Sequence, residues 1–268
     1  PDLTSMALTY RTSSFWVLVL PISLLTMMAI NNCRALVIRL IPLAPLPGLL
    51  AAVLMTDGDI TKQAFLTLTA LLWFVGALYA QAYLVNDKKR NRFYLFFLLT
   101  MIGNIGVVLS EEISSFIGFF ALMSFSAYPL ILHSESDEAR SAASTYIKWV
   151  VFGEVILFAA LVGNTYYSNF AVDEVPVIWV TAFLLIGFGV KAGLATLHVW
   201  LPKAHPVAPV PASALLSAVM VKVGLLGWIR FLPLGDESIL VLAQPMMLLG
   251  CSAAFLGAIY GMFQNNPK

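Results

Sequence analysis

The sequence predicts an all-α, polytopic transmembrane helical bundle of about nine spans, with a broken helix in the seventh to eighth span region. Three observations carry this. Apolar residues fill 60% of the 268 positions and charged residues only 11%, and the mean hydropathy is +0.89, far from the balance of a soluble domain. The apolar runs reach the roughly 17 to 24 residues that a helix needs to cross a hydrocarbon core. They are also continuous, without the alternation of barrel strands. Lipid offers no hydrogen-bond partner, so helices are the remaining way to span.

In chain order the spans are predicted at about 15–30, 36–55, 64–85, 93–110, 113–133, 146–167, 177–200, 212–232 and 240–263. Connections are short, which leaves no room for a soluble domain, a nucleotide-binding loop or a cofactor fold. The loops divide the charges. With the N-terminus outside, the inner side receives Arg34, the cluster Lys88, Lys89, Arg90 and Arg92, then Arg140, Lys203 and Lys268. The outer side holds Arg11 and Lys62 together with the acidic pairs Asp57/Asp59, Glu111/Glu112, Asp173/Glu174 and Asp236/Glu237. The excess of Lys and Arg on one side places the N-terminus outside and the C-terminus in the cytoplasm of a cell inner membrane.

The formal charge of +1 gives no argument for a nucleic-acid partner. Cys33 and Cys251 lack metal-ligand spacing and read as packing residues. The start at Pro1, with a polar stretch Thr4 to Arg11, looks processed or cropped, and it carries no cleavable signal peptide.

A few ionisable residues remain within the predicted spans, among them Lys148, Glu154, Lys191, His198, Lys222 and Arg230. A charge at the bilayer centre costs about 2.5–3.5 kcal/mol on insertion scales, so such residues face a bundle interior or water and mark ion paths. Lys191, in "LLIGFGVKAGLATLHVW", is predicted more than two turns from either end of its helix, too deep to snorkel. Glu154, in "WVVFGEVILFAAL", has apolar neighbours and follows Gly153, which admits a close helix; its natural partners are Lys191 or Lys148. Lys148 reads equally as a relay or as a snorkelling anchor near a span end. Lys222 is deep in its span, whereas Arg230 is one turn from the outer end and reads as an anchor. A lysine whose charge is opposed by burial and favoured by a carboxylate is a loadable proton site, and several such sites joined by water form a wire. His198 and His205 suit proton exchange but read as well as packing residues. No carboxylate or cysteine stands near them at ligand spacing, so neither a metal nor another cofactor is expected. Pro202, Pro206, Pro209 and Pro211 remove donors and are predicted to open the backbone between Lys191 and Lys222; the alternative is an ordinary proline-rich turn.

The stretch "LIGFGVKAGLATLHVWLPKAHPVAPVPASALLSAVMVKVGLLGWIRF" resembles the signature of the antiporter-like membrane subunits shared by respiratory complex I, group 4 membrane-bound hydrogenases, formate hydrogenlyases and Mrp cation/proton antiporters. "LSEEISSFIGFFALMSFSAYPLILH" and "YIKWVVFGEVILF" resemble the two helices that precede it in that family, and the likeness covers about residues 36–268. The resemblance implies a fold with two inverted five-helix repeats, each holding one broken helix. Residues 1–35 would then be an extra span, 36–110 peripheral helices, 111–232 the first repeat, and 233–268 the start of a truncated second half. Lys191 would match the central lysine of the broken helix, Lys222 the lysine or histidine of the next helix, and His205 the histidine of an LP-x-AH motif.

One departure stands out. Where the family carries a tryptophan and a glutamate that pairs with the broken-helix lysine, this chain has Phe120 and Ala121; Glu154 is expected to substitute as the partner of Lys191. The resemblance implies proton translocation through Glu154, Lys191 and Lys222, assisted by His205, His198 and Lys148. It implies other membrane subunits as partners and no redox chemistry on this chain. Further readings are a sodium or other cation/proton antiporter of Mrp type, an energising subunit of an inorganic-carbon uptake complex, and a non-conducting scaffold.

Overall fold

A computed structural model describes residues 14–54, 59–170, 177–232, 234 and 239–263. Arg11, Asp57, Asp173, Glu174, Asp236, Glu237 and Lys268, used above to orient the chain, lie outside them. Among the described residues seven helices are long and apolar enough to cross a membrane, and two shorter apolar helices, Phe15–Met28 and Ile178–Ala192, bring the set to the predicted nine. The chain is a multi-pass membrane protein.

After a 3₁₀ turn at Ser14–Leu18, the helices are α1 (Val19–Met28), α2 (Arg34–Leu40), α3 (Leu46–Leu54), α4 (Ile60–Tyr83), α5 (Arg90–Leu109), α6 (Ile113–Ile131), α7 (Asp137–Phe170), α8 (Val177–Ala192), α9 (Leu201–Val207), α10 (Val210–Leu215), α11 (Val221–Phe231) and α12 (Leu240–Met262). They divide into two units, one made of residues 1–133 with 209–219, the other of 134–208 with 220–268.

In the first unit α5 is the central helix, and Thr100 to Leu109 are buried on every side. A helix so enclosed must satisfy its polar groups internally. Asn104 Oδ1 accepts from Trp73 Nε1 at 2.8 Å, Asn104 Nδ2 donates to Met123 Sδ at 3.3 Å, and the Thr100 and Ser126 hydroxyls are 2.9 Å apart. Charges gather at the helix ends. At one end Asp59 caps α4 by accepting from the Lys62 backbone N–H at 2.8 Å, and Lys62, only 3% exposed at its side chain, pairs with Glu111 Oε1 at 2.8 Å. Lys62 is thus a buried, paired residue rather than a loop charge. At the other end of α4, Gln81 donates to the carbonyls of Ile38 and Arg39, and the cluster Lys88–Arg92 follows. His133 Nε2 lies 2.9 Å from Asp87 Oδ2, and Arg92 donates to the His133 carbonyl at 3.1 Å. Burial pushes the Asp87 carboxyl up, but its hydrogen bonds to His133 and the Lys89 N–H, with both their charges, hold it below its ordinary value of 3.8.

In the second unit α7 is the spine. Its 34 residues reach about 51 Å, well beyond a hydrocarbon core. Its start is capped by Ser136, whose hydroxyl accepts from the Ala139 N–H, and carries Asp137 and Glu138 at the positive end of the helix dipole. Helices α7 and α8 approach through glycines. A Cβ on Gly153 would lie 3.3 Å from the Gly187 carbonyl oxygen, and one on Gly187 would lie 3.2 Å from the Gly153 oxygen. Gly153 therefore admits the close helix expected of it. On the other side of α8, Gly224 of α11 sits against backbone: an added Cβ would be 2.7 Å from both the Ala192 nitrogen and the Phe188 oxygen.

The seventh span is shorter than the predicted 177–200. Helix α8 ends at Ala192 because Gly193 turns left-handed (φ 75°) and the Leu194 N–H closes back onto the Gly189 carbonyl at 2.8 Å, a Schellman termination. Thr196 is left-handed as well (φ 75°). The backbone is open between Lys191 and Lys222 as predicted, but the prolines account for only part of it. Pro202 and Pro211 stand in the first turns of α9 and α10, Pro206 lies within α9, and Pro209 caps α10. The chain opens first at 193–200, before the prolines, and again at Ala208 and Pro209, whose ψ angles of 144° and 143° separate α9 from α10. A π turn at Leu216–Met220 separates α10 from α11.

The Gly224→Ala variant is expected to lose about 1–3 kcal/mol, because neither backbone partner can move aside. Thermal unfolding in detergent should show a lowered midpoint, while Gly250→Ala on α12, with no atom within 4 Å of the added Cβ, leaves it unchanged.

Candidate proton-relay site

Lys191 stands in the last turn of α8, one residue before the break, and is 3% exposed. This corrects the expectation that it lies more than two turns from a helix end. Its ammonium is held inside the protein all the same, by Tyr146 and Trp200, while the loop beyond it is exposed at Thr196, His198 and Val199. Its Nζ donates to the Tyr146 hydroxyl of α7 at 3.2 Å. The ammonium also lies 5.5 Å from the Tyr146 ring centroid and 5.9 Å from that of Trp200, both within cation–π range. The two rings meet edge to face at 5.1 Å.

Trp200 serves the break as well. Its Nε1–H donates to the Val190 carbonyl at 2.8 Å, satisfying one of the carbonyls that the end of α8 leaves without a helical donor. One indole therefore caps the broken helix and walls the lysine.

Glu154 sits on α7 eight residues after Tyr146, on the same helical face, and its charge acts on both Lys191 and Tyr146. Tyr146, Val150, Gly153 and Leu157 form the buried stripe of α7 that faces its neighbours. Lys148 is exposed on the opposite side of the helix, the placement of an anchor. Lys222, in the first turn of α11 just after the π turn, is exposed on this chain, and so is His198, in the loop that follows Lys191. His205 is partly buried in α9, which packs on α7. The structure thus leaves the half-buried Glu154 within electrostatic reach of the buried Lys191, and Lys148, Lys222 and His198 at the surface of this chain. Arg230 is partly exposed in the last turn of α11. In the first unit, Phe120 is buried and stacks on Phe116 at 5.9 Å. Among the described residues no group of three or more His, Cys, Asp or Glu is placed to hold a metal ion.

The sequence reading missed Tyr146 and Trp200. Tyr146 was findable, since an eight-residue interval from Glu154 fixes a shared face; Trp200 acts across the break and has no local signal.

The membrane-spanning fold matches known proteins. A family described as NADH:quinone oxidoreductase/Mrp antiporter, transmembrane region, matches residues 110–268. The chain belongs to this family. Hydrogenase-4 component B of Escherichia coli is 31% identical over 224 residues, covering 77% of this chain and 33% of that protein. NAD(P)H-quinone oxidoreductase chain 4-2 of Synechocystis is 26% identical over 194 residues, covering 68% of this chain and 35% of that one. The chain therefore spans about a third of the length of these curated relatives, whose names mark each as one component or chain of a larger enzyme. A chain of the membrane-bound sulfane sulfur reductase, an archaeal respiratory membrane complex, shares the fold with a TM-score of 0.65 at 19% identity, over 81% of this chain and 52% of that chain.

If Glu154 is the counter-charge of Lys191, a double-mutant cycle of Glu154→Gln and Lys191→Met should give a coupling of about 1–3 kcal/mol in thermal unfolding. Additive effects would place the two outside one another's reach.

Proposed function

We propose that this chain is the proton-translocating part of an antiporter-like membrane subunit in a complex I-related or hydrogenase-related energy-converting complex. The observation that carries the reading is a lysine buried beside a helix break in a multi-pass membrane protein, held by a tyrosine and within electrostatic reach of a carboxylate. Burying an ammonium costs several kcal/mol even after relaxation, and Tyr146, Trp200 and Glu154 offset that without fixing the charge permanently. A proton can therefore be loaded and released there.

In this reading Lys191 is the central site and Glu154 its counter-charge, in place of the glutamate absent at Ala121. Lys222 and His205 carry the proton onward, and surfaces of Lys222, His198 and Lys148 exposed on this chain are covered by water or by neighbouring membrane subunits. The chain contributes the pumping and not the redox chemistry. The N-terminus faces outward and the C-terminus the cytoplasm of a cell inner membrane. This orientation is supported by the first unit, where Arg39 and Lys88 to Arg92 gather at one end and Asp59 and Glu111 at the other. Cation/proton antiport of Mrp type is the second reading, favoured by the family's inclusion of Mrp antiporters. Neighbouring chains decide between them: iron-sulfur and nickel or flavin subunits indicate redox pumping, and several small membrane subunits indicate antiport.

Replacing Lys191 by Ala in the protein that carries this chain, reconstituted in proteoliposomes, should lower proton uptake by about a hundredfold. Uptake at the unsubstituted rate would contradict every conducting reading.

A further inference from the structure

We infer that Tyr146 and Trp200 are positioning residues forming an aromatic cage that holds the Lys191 ammonium, a resting position apart from the one toward Glu154, and that the cage ties the lysine's position to the loop closing the helix break. The inference rests on the proton-relay reading of Lys191.

The cage is built from buried parts. Tyr146 and Trp200 are at most 1% exposed, so the rings act on the ammonium without competing water. The phenol oxygen accepts from Nζ at 3.2 Å, and both ring centroids lie within 6 Å of it. Aromatic faces attract a cation and do little for a neutral amine, so the cage holds the lysine when it is loaded and releases it when it is not. Glu154 supplies the competing attraction farther along α7, about 12 Å from Tyr146 along the helix axis. In this inference the flexible four-carbon side chain of Lys191 exchanges between the two attractions.

The second half of the inference comes from the indole nitrogen. Trp200 ends the 193–200 loop and bonds the Val190 carbonyl, one residue before Lys191. The indole cannot leave the cage without freeing that carbonyl in a water-poor interior. Opening the loop and releasing the ammonium are therefore one event. Among the described side chains, the titratable or charged groups on the helices packed against α8 are Asp137, Glu138, Arg140, Tyr146, Lys148 and Glu154 on α7 and Lys222 and Arg230 on α11. Of these, Tyr146 donates no charge at neutral pH and Glu154 supplies the charge acting on Lys191.

The test is proton uptake against pH in proteoliposomes of the protein that carries this chain, with Tyr146→Phe, Tyr146→Leu and Trp200→Phe, all normalised to folded protein. Tyr146→Phe removes the acceptor but keeps the ring. Its pH–rate curve should move to more acidic pH by about half a unit, because the charge-assisted bond from the ammonium is stronger than the bond the phenol can donate to the free amine. Tyr146→Leu should move it further and lower the rate about tenfold or more. Trp200→Phe keeps a cage wall and frees Val190, so it should lower the rate with a smaller displacement of the curve. A uniform fall in rate at every pH, with the midpoint unmoved in Tyr146→Phe, means that Tyr146 only packs and overturns the cage. A thermal-unfolding cycle of Tyr146→Phe with Lys191→Met, which does not depend on transport, keeps the two readings apart. Coupling there with normal uptake in Lys191→Ala would sink the relay and leave the cage; additivity would sink the cage alone. Should Tyr146→Leu fail to accumulate, Tyr146→Phe alone decides.

Discussion

A cation taken out of water is the constraint on which the second unit is organised. Lys191 is 3% exposed in a spanning helix, and the attraction of one phenol, two ring faces and a carboxylate must offset its lost hydration. Each of these partners requires a specific backbone arrangement. Tyr146 reaches the lysine, and the Glu154 charge acts on it, across a seam where Gly153 and Gly187 let α7 and α8 touch at their backbones. Trp200 reaches it only because Gly193 ends α8 in a left-handed turn and the chain doubles back through 193–200. Close glycine packing, the break and the buried charge are thus one structural solution.

That solution also explains why the break is tolerated at membrane depth. The end of α8 exposes carbonyls that lipid cannot satisfy. The Leu194 N–H takes the Gly189 carbonyl and the Trp200 indole takes the Val190 carbonyl. The groups that seal the backbone are the same ones that border the lysine, which couples the polarity of the site to the shape of the chain.

Much of this was legible from residue order alone. Apolar runs fixed the nine spans, because a spanning helix leaves a continuous hydropathic signal, and Gly153 announced a close helix neighbour. Lys191 and Glu154 were visible as charges in apolar surroundings. The end of α8 was not, because "GLATLHVW" is apolar enough to read as helix and the left-handed turn at Gly193 leaves no hydropathic trace. The prolines pointed to only one of the two openings: Pro209 stands where α9 and α10 separate, whereas Pro202 and Pro211 lie in first turns, where a proline is a good starting residue. Lys62 looked like a loop charge because its partner, Glu111, is 49 residues away, and no local pattern reports such a pair. The exposure of Lys148 and Lys222 depends on which face each helix turns outward, and for helices apolar all round that is set by packing.

The central claim is that Lys191 changes its charge while Glu154 senses the change. The most direct measurement is ¹⁵N magnetic resonance of lysine Nζ in the protein that carries this chain, held in bilayers and followed across pH, with Lys191→Met to assign the signal. The account predicts a Lys191 signal that converts between ammonium and amine within the accessible range and is displaced in Glu154→Gln. A signal that stays in one charge state throughout, with no response to Glu154→Gln, would contradict it.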